Sequence, residues 1–190
     1  MVLTRCRLIG DCSTGKTSLL VSYATKKFTL EYVPEFFEPY EAKVQAAGQE
    51  FSLQLWDTGS SMDYYRSMRL PYNEADVLLL CFGVDMPHSL ESLREKWVPE
   101  VCHHAPRVPC LVVGLKTDLR DDPRVVKQLK GLKMGPVERD EGMKEAKELG
   151  YEYIECSALS RENVDEVFQK AIAVALAPPK SRKKSRCEVL

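Results

Sequence analysis

Several things are missing from this sequence, and each absence excludes something. The seven cysteines are odd in number and none pair at C-x-x-C spacing, so neither a disulfide framework nor a thiolate zinc site is expected. His103 and His104 adjoin Cys102, but neighbouring helix residues diverge by about 100° and are poorly placed to share a metal. No apolar run reaches membrane-spanning length and no secretory leader is visible, which sets the expectation of a protein that starts in the cytosol. Internal repeats are absent. So is a basic body: net charge is −1, and the tail from Ala177 onward holds Lys180, Arg182, Lys183, Lys184 and Arg186 against Glu188. That tail carries +4 and leaves −5 on the rest. A nucleic-acid stripe belongs on a basic folded surface, so an acidic body argues against nucleic acid as a partner.

What is present suits one compact domain: 190 residues with 44% apolar content can bury a real core. Apolar runs at Leu3–Ile9, Phe51–Trp56, Val77–Val84, Pro109–Gly114 and Tyr151–Cys156 read as strands, most of them buried on both faces. Tyr40–Ala47 reads as an edge strand that turns through Ala47-Gly48-Gln49 into the next. Helical periodicity appears at Lys16–Thr25, His88–Cys102, Arg139–Leu149 and Asn163–Leu176. This alternation predicts an α/β fold, a sheet with helices on both faces and ligands at the carboxyl ends of its strands. Cys6, Cys81, Cys110 and Cys156 lie in strand runs and read as small buried hydrophobes. Asp121 to Val137 is a charged, proline-bounded insertion, and the segment after Pro178-Pro179 reads as a flexible, low-complexity tail. The expected division is a domain over 1–176 and a tail over 177–190.

The most specific signal is G-x-x-x-x-G-K-T at Gly10, Gly15, Lys16 and Thr17. A match of this length has a chance rate of roughly 1% in such a chain. It lies between a strand and a helix, the context in which backbone N–H groups converge on phosphates with the helix dipole behind them. Gly10, Cys12, Ser13, Thr14, Gly15, Lys16, Thr17 and Ser18 are the expected nucleotide-binding segment. Lys16 is placed for the β- and γ-phosphates and the Thr17 hydroxyl for Mg²⁺.

Other motifs follow in the order a guanine site needs. Asp57, in Trp56-Asp57-Thr58-Gly59, ends a strand where it can hold Mg²⁺ through water. Lys116 and Asp118 follow a core strand in L-K-T-D. A carboxylate there accepts two hydrogen bonds from guanine N1–H and N2–H₂, which adenine cannot offer, and the lysine stem can lie over the base. Ser157-Ala158 closes the last strand, where the Ala158 N–H can meet guanine O6.

With these residues in view, the chain resembles the Rho family of small GTPases, within the Ras superfamily, from residue 3 to the C-terminus. The marks are Trp56-Asp57-Thr58, Lys96-Trp97-Val98-Pro99-Glu100-Val101, Leu119-Arg120-Asp121-Asp122 and Glu155-Cys156-Ser157-Ala158-Leu159. The resemblance implies a P-loop G domain of six mostly parallel strands and about five helices, with an extra helix in the insertion. It implies GTP/GDP and Mg²⁺ as ligands, and switch segments near Phe28–Tyr40 and Thr58–Tyr72. Phe28 is then expected edge-on to the guanine, and Phe37 and Tyr40 at effector-contact positions. Effectors, exchange factors and GDI are the implied partners of a monomer acting in actin regulation.

Cys187-Glu188-Val189-Leu190 has the form of a prenylation box whose final leucine favours geranylgeranyl. The basic run before it is the second signal that one lipid chain needs for stable anchoring. The expectation is residence on the cytoplasmic face of the plasma membrane or endomembranes, with a cytosolic pool. The chain also departs from the Rho pattern. Cys12 stands where glycine is usual, and the segment usually reading D-T-A-G-Q-E is Asp57-Thr58-Gly59-Ser60-Ser61-Met62. No glutamine is then available to orient water, and Cys12 crowds the place of an activating protein's arginine. Those two groups account for most of a roughly 10⁵-fold gain, so slow hydrolysis and weak GAP response are expected. Switch I carries Glu35 in place of threonine. As a hard oxygen donor it can ligate Mg²⁺, or its charge can repel the γ-phosphate. Leu115 replaces the usual Thr or Asn, which predicts the loss of a polar tie between base loop and phosphate loop.

Overall fold

The computed structural model describes residues 2–29, 40–46, 48–57 and 72–177. Strand β1 (Val2–Ile9) lies between β3 (Gln49–Trp56) and β4 (Val77–Gly83), parallel to both, with Cys6 opposite Leu55 on one side and Val77 on the other. Beyond β4 come β5 (Cys110–Leu115) and β6 (Glu152–Glu155), also parallel. β2 (Tyr40–Ala46) pairs antiparallel with β3 across a tight turn at Gly48, whose φ of 76° suits glycine. The order is β2-β3-β1-β4-β5-β6, the six-stranded, mostly parallel α/β sheet expected.

Parallel strands need crossovers, and helices supply them. α1 (Lys16–Thr25) and α6 (Val164–Leu176) cover one face, packing Leu19, Leu20, Tyr23, Phe168 and Ile172 onto Cys6, Leu8, Leu53 and Val113. The opposite face is covered by α2 (Pro87–Ser92), α3 (Val98–His104) and α5 (Arg139–Leu149), which with the residues joining α2 to α3 bury Leu90, Leu93, Trp97, Val101 and Ala146 against Ile9, Leu80, Phe82 and Val112. With both faces covered, β4 and β5 are buried at every position. β3 instead alternates from its third residue, and the edge strand β6 is half-exposed over most of its length. The four strand-associated cysteines are buried as their sequence context predicts. Burial pushes the Cys81 thiol up to about 12 and those of Cys6 and Cys156 higher still, which leaves them inert.

The helix expected over His88–Cys102 is not continuous. Between α2 and α3 a π-helical turn, Leu93–Trp97, widens the ladder, and the Val98 N–H reaches back to Leu93 O. Pro99 explains the widening: it has no N–H for the bond to residue 95, so the ladder loosens there. In the insertion, α4 (Pro123–Gly131) begins on Asp122, whose carboxylate accepts from the N–H groups of Arg124 (2.8 Å) and Val125 (3.3 Å). At its exit the Val137 N–H donates to Val84 O at 2.9 Å and Val137 O accepts from Arg120 Nε at 2.9 Å. The insertion is therefore an excursion clamped at both ends.

Candidate functional site

The loop from β1 into α1 is shaped by backbone. Gly10 has φ 151°, and a Cβ there would lie 2.1 Å from the carbonyl oxygen of Cys81 on β4. Only glycine fits. Gly15 (φ 107°) and Ser13 (φ 61°) complete the turn in left-handed conformations. Thr14 is buried and its hydroxyl donates to Asp11 O at 2.9 Å. The Lys16 ammonium is folded over the loop, donating to Gly10 O at 3.0 Å and Asp11 O at 2.7 Å. Cys12 and Ser18 are exposed beside it. A cation above a loop that opens a helix N-terminus is an anion site by construction.

The structure brings Thr17 and Asp57, the two residues expected at Mg²⁺, together. The Thr17 hydroxyl hydrogen-bonds Asp57 Oδ2, joining the first turn of α1 to the carboxyl end of β3. Asp57 Oδ1 is buried with no partner among the described residues. A buried carboxylate oxygen of this kind calls for a cation or an ordered water. The two hard oxygens fit Mg²⁺. Glu35, Phe37, Ser61 and Cys187 lie outside the described residues, as do Gly59 and Ser60. Tyr40 opens β2 opposite Leu55 and packs half-buried against the core.

The base loop depends on side chains. Lys116 takes a left-handed φ of 64°, and its stem passes 3.5 Å from where a Cβ on Gly15 would be. Its ammonium pairs with Asp85 Oδ2 at 2.9 Å. Leu115 is buried in the core, and beside it Lys116 lays its apolar stem along Gly15 of the phosphate loop while its ammonium goes to Asp85. Asp118 Oδ1 accepts from the Ser157 hydroxyl at 2.5 Å, and Ser157 Oγ accepts from the Ser160 N–H at 3.0 Å. The Thr117 N–H donates to Cys156 O at 3.3 Å. Ser22 of α1 donates to Ala158 O at 3.0 Å, linking the last loop to the helix behind the phosphate loop. Phe28 lies half-buried just after α1.

Three supporting groups escaped the sequence reading. Asp85 stands just past β4, where ligand-site residues collect in such sheets; that position was its only signal. Trp97, visible only as a family mark, donates from Nε1 to Asp11 Oδ1 at 2.8 Å and so braces the phosphate loop from the other helical layer. Arg120 grips Glu155 through two nitrogens, at 2.5 and 3.3 Å, and the Tyr153 hydroxyl donates to the same carboxylate at 2.6 Å. Burial, then the Glu155 hydrogen bond, raises the Tyr153 pKa. A Cβ on Gly142 would meet the Tyr153 hydroxyl at 2.3 Å, so that glycine makes room for the network.

A doubly covered parallel sheet with a glycine-lysine phosphate loop, a Thr–Asp oxygen pair and a carboxylate-bearing base loop at one end defines a P-loop nucleotide-binding protein. The family model described as the Ras family matches residues 5–177. The chain belongs to the Ras family, and is thus a small GTP-binding switch protein. Proteins of this family bind GTP or GDP, usually with Mg²⁺, and act with effectors, exchange factors and GTPase-activating proteins.

Proposed function

We propose that this chain is a Rho-like member of the family that holds GTP, hydrolyses it slowly and works on membranes through effectors in actin and cell-shape signalling. In this reading Gly10 to Ser18 cradle the phosphates, with Lys16 as their cation. Thr17 and Asp57 hold Mg²⁺, which when bound offsets phosphate charge. Asp118 reads the guanine edge, Lys116 and Phe28 flank the base, and Ser157 and Ala158 complete its pocket. Phe37 and Tyr40 face effectors.

The observation that carries the slow-hydrolysis reading is Cys12, an exposed side chain on the phosphate loop where Rho proteins carry glycine. Ser61 in place of glutamine adds to it. Single-turnover hydrolysis with and without a Rho GAP tests the reading. Rates near zero in both are expected, whereas normal GAP-stimulated turnover would make the protein a conventional cycling GTPase.

Glu35 favours a second reading, a scaffold indifferent to nucleotide, because it stands in the sequence where Rho proteins carry the threonine that serves Mg²⁺ and the γ-phosphate, and a carboxylate there repels that phosphate. The nucleotide released on denaturing freshly purified protein separates the two. Stoichiometric GTP supports the switch, and an empty site supports the scaffold. The same proposal places a prenyl group on Cys187, with Lys180, Arg182, Lys183, Lys184 and Arg186 as its electrostatic second signal. Loss of membrane fractionation in Cys187→Ser is the expected result, and retention would remove the prenylation box as the anchor.

A further inference from the structure

The insertion differs in charge from everything around it. From Pro123 to Val137 it contains Arg124, Lys127, Lys130 and Lys133 and not one acidic residue. Without it the −5 body would stand at −9. Arg124 is engaged, pairing at 3.0 Å with the Asp122 cap. Lys127, Lys130 and Lys133 are exposed and make no ion pair with a described residue. Beyond the Asp122 cap, exposed acids frame the segment: Asp121 before it, and Glu138, Asp140 and Glu141 after it.

Between those lysines lies apolar surface that no described residue covers. Leu129 turns inward, but Leu132 is 64% exposed and Met134 38%. The turn that presents them is fixed. Lys133 is left-handed at φ 58°, the Leu132 and Met134 N–H groups both return to Leu129 O at 2.9 Å, and Lys133 N donates to Lys130 O at 3.0 Å. A preformed turn loses little further freedom on docking.

We propose that this tip, the last turn of α4 with residues 132–134, is a membrane contact that lays Leu132 and Met134 into an anionic lipid surface under Lys127, Lys130 and Lys133. Alternating lysine and large apolar residues suit the headgroup boundary, where ammonium groups stay wet while their stems and neighbours enter the acyl edge. A phosphate backbone would use the lysines and leave Leu132 and Met134 in water. The acidic remainder of the domain is repelled by an anionic leaflet, so the charge distribution itself turns the tip toward it. The contact is independent of any lipid on Cys187.

Cosedimentation of the full Cys187→Ser chain with phosphatidylcholine vesicles, pure or with about 30% phosphatidylserine, tests this. Binding should require phosphatidylserine. Lys127→Gln, Lys130→Gln and Lys133→Gln should each lower it about fivefold, and Leu132→Ser with Met134→Ser about tenfold. These losses should persist when the five basic tail residues are also changed to glutamine. A full chain carrying Leu132→Trp should show blue-shifted emission and quenching by brominated lipid on such vesicles. Lysine variants that bind as tightly as the parent, or an indole that stays in water on bound protein, overturn the proposal. Capture by polyglutamate without any response to phosphatidylserine also overturns it, and assigns the tip to an acidic protein instead. Because no prenyl group is present, failure here leaves the prenyl-anchor reading untouched.

Discussion

The phosphate loop and the base loop sit side by side at the carboxyl end of one sheet, yet they are held by different means. Gly10 to Thr17 keep their shape through glycine and left-handed torsions, a hydroxyl-to-carbonyl bond at Thr14 and a lysine folded on two carbonyls. Lys116 and Asp118 keep theirs through Asp85 and Ser157, side chains brought from other segments. Backbone geometry survives most side-chain changes, which is how Cys12 and Ser13 can occupy the phosphate loop without deforming it. A site set by carboxylates has no such tolerance. Substitutions at Asp118 and Asp85 should therefore act on base recognition, and those in the phosphate loop should split sharply between the glycines and everything else.

The largest effect is expected at Asp118. If Asp118 reads guanine as proposed, Asp118→Asn removes one acceptor and the charge behind both hydrogen bonds, each worth about 1.5–3 kcal/mol while charge-assisted. GTP affinity should fall by at least about a hundredfold while xanthosine triphosphate gains, as competitive nucleotide titration will read. Equal affinity of the unmodified protein for ATP and GTP would remove the basis of the comparison.

Gly10→Ala comes next. Its Cβ would stand 2.1 Å from a backbone oxygen that cannot swing away, so β1 and β4 must shift. Overpacking of this kind costs about 1–3 kcal/mol, seen as a lowered Tm together with lost nucleotide retention. If Gly10→Ala bound GTP normally, the loop would not be backbone-determined.

Asp85→Asn sharpens the contrast from the base side. Lys116 and Asp85 are both largely shielded, with 27% and 17% of their side-chain surface exposed. Loss of their pair should cost about 1.4 kcal/mol, a tenfold faster GDP release. Stopped-flow release of a fluorescent GDP analogue measures it, and thermal stability should change little. Release at the parental rate would mean that Lys116 is positioned by Gly15 contact alone.

The smallest effect on binding is expected at Cys12, whose side chain is exposed. Cys12→Gly should leave GTP affinity within about threefold, since surface changes commonly stay within 0.5 kcal/mol. Its thiol, unlike those of Cys6, Cys81 and Cys156, is accessible and should take up a mild electrophile well before them, as mass spectrometry of a brief pulse will show. Labelling of the strand cysteines at the same rate would contradict the burial that holds them inert.

Much of this protein was legible in its sequence because the signals are local. Gly10, Gly15, Lys16 and Thr17 sit within eight residues, where spacing alone fixes a turn and the helix after it, and α1 runs over Lys16–Thr25 as its periodicity predicts. Continuous apolar runs identified β4 and β5 because strands covered on both faces have no polar side to show. The π turn before Pro99 was not readable, since Leu93, Trp97 and Val101 keep helical spacing across it. Nor were the braces of the site. Lys116 meets Asp85 across 31 residues, Trp97 meets Asp11 across 86, and Ser22 meets Ala158 across 136. Periodicity says which face of an element is buried, but sheet order, register and helix placement decide which strand ends become neighbours. The sequence by itself therefore determined the chemistry that is available, through short-range geometry. Tertiary packing alone decided which carboxylate holds the base-loop lysine and which indole braces the phosphate loop, because those contacts exist only once distant segments share one end of the sheet.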